Sequence, residues 1–236
     1  MMTELTLPII GYMHSSYKEK FGIPRQPNLV QVESYIEMLA PYNDVLAFEG
    51  IEAFSHLWLV WQFHDNKNPE KTQFRPQVRP PRLGGNKKIG VFATRSMYRP
   101  SQIGLSVVRL KCVKKEGKSV RVYVTGSDLL DGTPIVDIKP YIHYSDAVIN
   151  AESGYAQDEP KRKSVIWSDR AIEQKQQLLM SEKLSVQTAQ ELEAVLSLDP
   201  RPAYQDDEAR VYKMKFAAVD IAFTVGETTV NITAVE

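Results

Sequence analysis

The residues best suited to ligand chemistry lie in three short clusters, and the first is a loop of arginine, proline and glycine. Residues 78–85 read Val-Arg-Pro-Pro-Arg-Leu-Gly-Gly. Prolines stiffen a loop, glycines let the backbone approach a ligand, and arginine donates paired hydrogen bonds to phosphate. The loop therefore predicts a phosphate contact, although a surface turn with solvated charges would have the same composition.

The second and third clusters combine charged side chains with turn-forming residues. In residues 93–104, Arg95 could hold a carboxylate through a two-pronged hydrogen bond, or could belong to a structural salt bridge. In residues 126–134, Asp128 could accept hydrogen bonds from ribose hydroxyls or from an amine. Alternatively, Asp128 or Asp131 could cap its own loop, which is the commoner arrangement. The residues alone leave both interpretations open in each cluster.

Charge is unevenly distributed along the 236 residues. The formal net charge is zero. Residues 66–100 nevertheless contain nine basic residues and one acidic residue, whereas residues 190–236 contain nine acids and four bases. The basic stretch could hold a polyanion, or could be a solvated loop whose charges are paired elsewhere in the fold.

Missing motifs disfavour several function classes. The chain has no P-loop and no Gly-x-Gly-x-x-Gly after a strand, so a Rossmann methyltransferase or dehydrogenase is disfavoured. Four scattered histidines and the single Cys112 lack metal-ligand spacing, so we expect no metal and no internal disulfide. No apolar run is long enough to span a bilayer, and the N-terminus lacks the pattern of a signal peptide. We therefore expect a cytoplasmic protein without membrane contact.

Short strands joined by loops are predicted to position the three clusters. Asn43 could cap a helical turn through Phe48, and residues 66–88 are expected to form an irregular functional loop. Residues 55–64 are rich in aromatic and aliphatic side chains without clean alternation, which favours a strand buried on both faces. The other predicted strands are 9–15, 35–39, 89–94 and 135–144, together with a hairpin formed by 106–113 and 119–125.

The pattern changes in the last third of the chain, which predicts a second domain. Ser168 and Ser185 could each cap a helix, one ending near Lys183 and the other near Leu198. Alternation then indicates strands over 219–225 and 229–235. The prediction is a mainly β protein: an antiparallel β-barrel domain over 5–145, a linker over 146–165, and a smaller α+β domain over 166–236.

Several motifs, in this order along the chain, resemble the TsaA-like family. They include Gly-Ile-Glu-Ala-Phe-Ser-His-Leu-Trp at 50–58, Arg-Pro-Pro-Arg-Leu-Gly-Gly at 79–85 and Gly-Val-Phe-Ala-Thr-Arg-Ser at 90–96. Others lie at 17–21, 24–27, 131–134 and 137–141, and Asp-Pro-Arg-Pro-Ala-Tyr at 199–204 is a mark of the longer, two-domain members. One departure is that Gln102 stands where the family usually has a proline, which makes this turn less rigid.

The resemblance implies a β-barrel fold, S-adenosylmethionine as cofactor and a homodimer. It also implies the substrate, tRNA, in which the threonylcarbamoyladenosine at position 37, beside the anticodon, is methylated on its exocyclic N6. By position, the resemblance places the cofactor pocket at Pro27, Asn28, Leu29, His64, Asp65, Arg95, Leu105, Thr125, Gly126, Ser127 and Asp128.

The sequence does not decide which residue is catalytic. Asp65 and Asp128 are candidates to accept the proton that the amine loses, but each could instead hold the cofactor. Phe74, Tyr98 and Tyr204 lie beside basic residues and could stack on splayed bases, or pack within their loops. The residues expected to contact RNA are Lys18, Lys20, Arg25, Arg79, Arg82, Lys87, Lys88, Arg99 and Arg201.

Two other functions compete with a tRNA methyltransferase. A non-enzymatic RNA-binding barrel would share the basic loop without needing S-adenosylmethionine. A dimeric scaffold that binds other proteins would need neither the cofactor nor a nucleic acid. Titration with the cofactor and a gel shift with tRNA distinguish the three.

Overall fold

The N-terminal half of the chain closes into a six-stranded antiparallel barrel, with strand order β1-β2-β7-β6-β3-β8. The structure is a computed structural model that describes residues 5–65, 74–202, 205 and 207–236. The barrel strands are β1 (Gly11–His14), β2 (Glu33–Met38), β3 (His56–Gln62), β6 (Ile103–Glu116), β7 (Ser119–Thr125) and β8 (Pro134–Pro140), and a two-stranded ribbon is formed by β4 (Gln77–Val78) and β5 (Ile89–Gly90).

Strand β3 shows how the barrel core is built. Leu57, Leu59 and Trp61 point inward and are buried, while the alternate residues face outward. The expectation of burial on both faces was therefore wrong. Trp58 on the outer face made the run look continuously apolar, but its indole N–H donates a 2.9 Å hydrogen bond to Asp146 and the ring stays half-buried.

The predicted hairpin is confirmed, and three local expectations need correction. Residues 89–94 form only the short β5 followed by a 3-10 turn, because the N–H of Val91 is bonded to the carbonyl of Pro76 and the chain turns there. The strand expected over 135–144 ends at Pro140. The helical turn Val45–Phe48 is capped by the carboxylate of Asp44, whereas the Asn43 amide donates to Lys118.

The second sheet has the order β10-β11-β12-β9. Its strands are β9 (Ser164–Trp167), β10 (Tyr212–Phe216), β11 (Val219–Val225) and β12 (Thr229–Val235), and the helices are α1 (His143–Asp146), α2 (Asp169–Met180) and α3 (Val186–Leu196). The caps predicted at Ser168 and Ser185 are confirmed, since each hydroxyl accepts a backbone N–H of the first turn. Strand β9 begins inside the predicted linker and pairs in parallel with β12.

The two halves share a hydrophobic core. Tyr17, which follows β1, forms a bridge with Phe216 of β10, and the two rings meet edge to face at 5.9 Å. Tyr17, Val30 and Val32 are buried among the residues of the second sheet and α3. The segment between β1 and β2 is therefore held by the second sheet at one end of the barrel.

The described part of the chain has neither a membrane-spanning helix nor a cluster of metal ligands. No helix there is long and apolar enough to cross a membrane. No group of three or more His, Cys, Asp or Glu side chains in the same residues could hold a metal ion.

Candidate active site

A cavity of about 460 Å³ lies at one end of the barrel, and we call it the mouth cavity. Its walls come from the segment between β1 and β2, the end of β3, the loop before β6 and the loop between β7 and β8. Because neighbouring strands are antiparallel, these four segments all emerge at the same end of the barrel. The volume falls in the range of small-molecule sites, roughly 300–1,000 Å³.

The floor of the mouth cavity depends on a glycine. Gly104 of β6 pairs with Trp61 of β3, and a Cβ on Gly104 would lie 2.3 Å from the indole. Only a residue without a side chain lets the ring lie against the strand. Phe63 packs edge-on against the indole with ring centroids 4.5 Å apart, which gives the cavity an aromatic wall.

A chain of hydrogen bonds runs from this floor to the carboxylate of Asp128. The indole N–H of Trp61 donates to the hydroxyl of Ser106 at 3.0 Å, and that hydroxyl donates to Asp128 Oδ1 at 2.6 Å. Ser106 is almost fully buried. The position of Asp128 is thus fixed by strands β3 and β6 as well as by its own loop.

The electrostatics of Asp128 suit a proton acceptor near neutral pH. Burial raises the pKa of its carboxyl to about 6, while the Ser106 hydrogen bond and the positive charge of Arg95 act in the opposite direction. A carboxylate with a pKa just below neutrality is mostly ionised at pH 7 and still accepts a proton readily.

Arg95 faces the mouth cavity with an available guanidinium. It donates a 2.5 Å hydrogen bond to Gln26, and no described carboxylate lies within ion-pair distance of it. The structural salt bridge considered for this residue is therefore not formed within the described chain. Arg99, in contrast, bonds the backbone carbonyls of Thr94 and Ser96 and so stabilises the loop that carries Arg95.

His64 lines the far wall of the mouth cavity, and its neighbour Asp65 lies outside it. His64 Nδ1 lies 3.3 Å from the hydroxyl of Thr133, and burial is the main cause that lowers the pKa of the imidazole, which is therefore neutral at pH 7. Asp65 is exposed, and its carbonyl accepts a 2.6 Å hydrogen bond from Lys20. Of the two candidate carboxylates, Asp128 lines the mouth cavity and Asp65 does not.

The other predicted cofactor residues divide into two groups. His64, Arg95, Leu105 and Asp128 line the mouth cavity, whereas Pro27, Asn28, Leu29, Thr125, Gly126 and Ser127 do not. Asn28 and Gly126 support the wall from outside, since the Asn28 N–H donates to the Gly126 carbonyl at 2.8 Å. Sequence reasoning missed several residues that also line the cavity: Gln26, Trp61, Phe63, Thr94, Met97, Gly104 and Thr133.

The cations predicted to contact RNA have different environments. Lys20, Arg25 and Arg99 line the mouth cavity, Lys18 pairs with Asp131 at 2.9 Å, and Arg79, Lys87 and Lys88 are exposed. Arg82 donates to the carbonyl of Asp158. Arg201 is buried and bonds both oxygens of Asp199 at 2.9 Å, a placement that favours a structural role over a phosphate contact.

Two of the aromatic side chains that could stack on bases already contact other side chains of the protein. The Arg75 guanidinium lies over the ring of Tyr98, 4.3 Å from its centroid, and Phe74 packs loosely against Phe92 at 6.3 Å. Phe74 remains half exposed, so its ring is accessible. Tyr204 lies outside the described residues, as does the part of the basic stretch over 66–73.

Fold and site together define a class: an antiparallel barrel with a charged cavity of small-molecule size at one end. The chain matches the tRNA-methyltransferase O N-terminal domain over residues 12–147 and the TrmO C-terminal domain over residues 160–236. This chain belongs to the tRNA-methyltransferase O family, as the motif resemblance predicted.

Individual relatives are similar along most of their length. A tRNA (adenine(37)-N6)-methyltransferase of Escherichia coli (strain K12) is 44% identical over 88% of this chain and 86% of its own. A putative S-adenosylmethionine-dependent methyltransferase, RcsF, of Pseudomonas aeruginosa PAO1 is 44% identical over 93% and 92%. The crystal structure of TrmO from Pseudomonas aeruginosa superposes with a TM-score of 0.78 at 34% identity, covering 100% of this chain and 99% of that one.

Proposed function

We propose that this protein is an S-adenosylmethionine-dependent tRNA methyltransferase that methylates N6 of the adenosine at position 37, and that its substrate is the threonylcarbamoyl form of that nucleoside. The observation that carries the proposal is the mouth cavity, in which the carboxylate of Asp128 and the guanidinium of Arg95 line the same space above an aromatic floor. The names of the relatives support the methyl donor and the tRNA substrate.

The residues of the mouth cavity fit the chemical groups of S-adenosylmethionine. Its carboxylate matches Arg95, whose guanidinium has no carboxylate partner among the described residues. Its adenine and thioether chain match the apolar surfaces of Trp61, Phe63 and Leu105. The missing side chain at Gly104 keeps that apolar wall in place.

The donor supplies an already activated methyl group when bound, so this chain has to orient the acceptor and manage one proton. An adenine amine is a poor nucleophile because its lone pair is delocalised, and it loses a proton during the transfer. Asp128, fixed by Ser106 and with a pKa of about 6, is the cavity carboxylate able to accept that N–H. Orientation of the reacting groups can contribute up to about 7–11 kcal/mol in ideal cases.

The cations of the mouth cavity support threonylcarbamoyladenosine as the substrate. The donor has one carboxylate, for which Arg95 suffices. Lys20 and Arg25 also line the cavity, and the threonyl carboxylate of the modified base is an anion of the kind that they would bind. The exposed Arg79, Lys87 and Lys88 extend this positive surface toward the RNA backbone.

The test uses purified protein, isotopically labelled donor, and tRNA prepared with or without the threonylcarbamoyl group, followed by mass spectrometry of the nucleosides. We expect one labelled methyl group on the modified nucleoside and little on plain adenosine. Equal labelling of both tRNAs would reject the threonylcarbamoyl nucleoside as the specific substrate. No labelling of either would favour the non-enzymatic RNA-binding barrel. Cells lacking the gene should lose the same methylated nucleoside.

Three further expectations stay predictions. They are the homodimer, the cytoplasmic location, and the division into a barrel domain over 5–145, a linker over 146–165 and an α+β domain over 166–236. Light scattering of the purified protein measures the oligomeric state, and limited proteolysis maps the linker.

A further inference from the structure

A second cavity of about 350 Å³ lies beside the mouth cavity, where the arginine-proline-glycine loop meets the segment that follows α3. Arg25 lines both cavities, so they adjoin across this one side chain. The described residues that line the second cavity are Arg25, Arg79, Pro81, Gly84, Gly85, Asn86, Pro200 and Pro202.

The charge of the second cavity is positive. Arg25 and Arg79 are its charged lining residues, and none of the described residues that line it is acidic. Arg79 is exposed and makes no hydrogen bond or ion pair with any other described residue. Arg25 keeps one contact, a 3.2 Å hydrogen bond to the Arg201 carbonyl, that fixes its guanidinium beside the cavity. A phosphate is the kind of anion that two arginines lining one cavity would bind.

The remaining walls of the second cavity match a nucleobase. Pro81, Pro200 and Pro202 contribute apolar ring faces, and flat apolar surfaces are what a base packs against. Gly84 and Gly85 also line the cavity, and because glycine has no side chain, bare main chain forms part of the wall. The amide of Asn86 carries both donors and an acceptor, which suits the hydrogen-bonding edge of a base.

We propose that the second cavity is a nucleotide subsite that holds the RNA residue next to the methylated adenosine. This inference rests on the proposed function: the target base would enter the mouth cavity, the adjacent base would pack between the prolines, and their shared phosphate would lie near Arg25 and Arg79. Splaying two consecutive nucleotides into adjoining cavities is possible because the bases of the anticodon loop are single-stranded. The segment that follows α3 thereby takes part in RNA recognition.

The experiment measures the affinity of wild-type protein and two variants for an anticodon stem–loop RNA by filter binding. Arg79→Ala removes the proposed phosphate contact, and Lys88→Ala removes an equal charge from the same loop outside the cavity. We expect Arg79→Ala to weaken binding about tenfold, the effect typical of a lost charge-assisted contact, and Lys88→Ala to weaken it about twofold. Equal losses would overturn the subsite in favour of diffuse electrostatic attraction.

A second arm tests the base. Stem–loops carrying an abasic residue on either side of the target are bound to wild-type protein and to Arg79→Ala. We expect one of the two abasic positions to weaken wild-type binding about tenfold, because the missing base would lose its contacts with the prolines and Asn86. For Arg79→Ala, the same abasic change should weaken RNA binding at most threefold. The base and its phosphate are held in the same subsite, so once the phosphate contact is lost the base contributes less. If neither abasic position matters, the subsite is rejected.

The outcomes separate this inference from the proposed function, because the readout is RNA affinity and not methyl transfer. A wild-type protein that transfers methyl groups but shows equal losses for both variants would reject the subsite alone. A protein that binds RNA as expected but never transfers a methyl group would reject the enzyme and with it the assignment of the target base.

Discussion

The hydroxyl of Ser106 donates a 2.6 Å hydrogen bond to the carboxylate of Asp128. Ser106 lies on strand β6, whereas Asp128 lies in the loop between β7 and β8. The same hydroxyl accepts the indole N–H of Trp61 at 3.0 Å. Ser106 therefore helps to fix the position of Asp128 and lowers the pKa of its carboxyl against the larger effect of burial, because a hydrogen bond to a carboxylate stabilises the ionised form.

Replacing Ser106 should move the pH dependence of methyl transfer. The Ser106 hydrogen bond lowers the pKa of Asp128 against the effect of burial, so Ser106→Ala should raise that pKa above about 6. If the ionised carboxylate is required, the acidic limb of kcat/KM should shift to higher pH. Ser34→Ala is the matched control, since Ser34 is a buried barrel serine whose hydroxyl has no hydrogen-bond partner among the described residues. An identical shift in both variants would contradict this role.

Asp128→Asn should abolish methyl transfer while stabilising the fold at alkaline pH. A carboxyl whose pKa is about 6 in the folded protein and 3.8 when unperturbed destabilises the fold as the pH rises from 4 through 6. The variant lacks this effect, so its advantage in free energy of unfolding over wild type should grow by up to ~3 kcal/mol between pH 3.5 and pH 8. Urea denaturation at both pH values measures the difference. If the variant and the wild type differed by the same free energy of unfolding at both pH values, burial would not raise the pKa of the Asp128 carboxyl.

Arg95→Ala should weaken binding of S-adenosylmethionine by at least about tenfold without unfolding the protein, because a charge-assisted hydrogen bond to its carboxylate contributes roughly 1.5–3 kcal/mol. Equilibrium dialysis with labelled donor gives the affinity. Arg109→Ala, an exposed arginine of β6 outside the mouth cavity, is the control. Wild-type affinity in Arg95→Ala would remove this residue from the cofactor site.

Gly104→Ala should disrupt the mouth cavity, because the new Cβ would lie 2.3 Å from the ring of Trp61 and must displace it. Overpacking of this kind typically costs about 1–3 kcal/mol of stability, and the displaced indole should also weaken donor binding. Gly90→Ala is the control, since a Cβ there meets no atom within 4 Å. Thermal unfolding and donor affinity are compared for both. A Gly104→Ala protein with unchanged stability and affinity would show that the ring contact is unimportant.

Local sequence patterns predicted much of the fold. Short runs of strand-forming residues located most barrel strands, and alternation located β11 and β12. Ser168 and Ser185 marked their helices because capping acts within four residues. Strand β9 was missed because its pairing with β12 in parallel joins residues far apart in the sequence. Strand β10 was missed as well, although Tyr212, Met214 and Phe216 alternate inward.

Sequence patterns predicted less of the site than of the fold. Asp128, Arg95 and His64 could be named from the resemblance, but the contribution of Trp61 and Gly104 depends on cross-strand register, which no local pattern encodes. The buried state of Arg201 could not be anticipated either, because its ion pair with Asp199 forms only within the folded turn. Charge alone does not distinguish a structural arginine from one that faces RNA.

A calorimetric titration of S-adenosylmethionine into the purified wild-type protein near neutral pH tests directly whether the mouth cavity is a cofactor site. We expect saturable binding with one site per chain, because each barrel carries its own mouth cavity. The absence of saturable binding, whether or not tRNA is present, would contradict that role of the cavity.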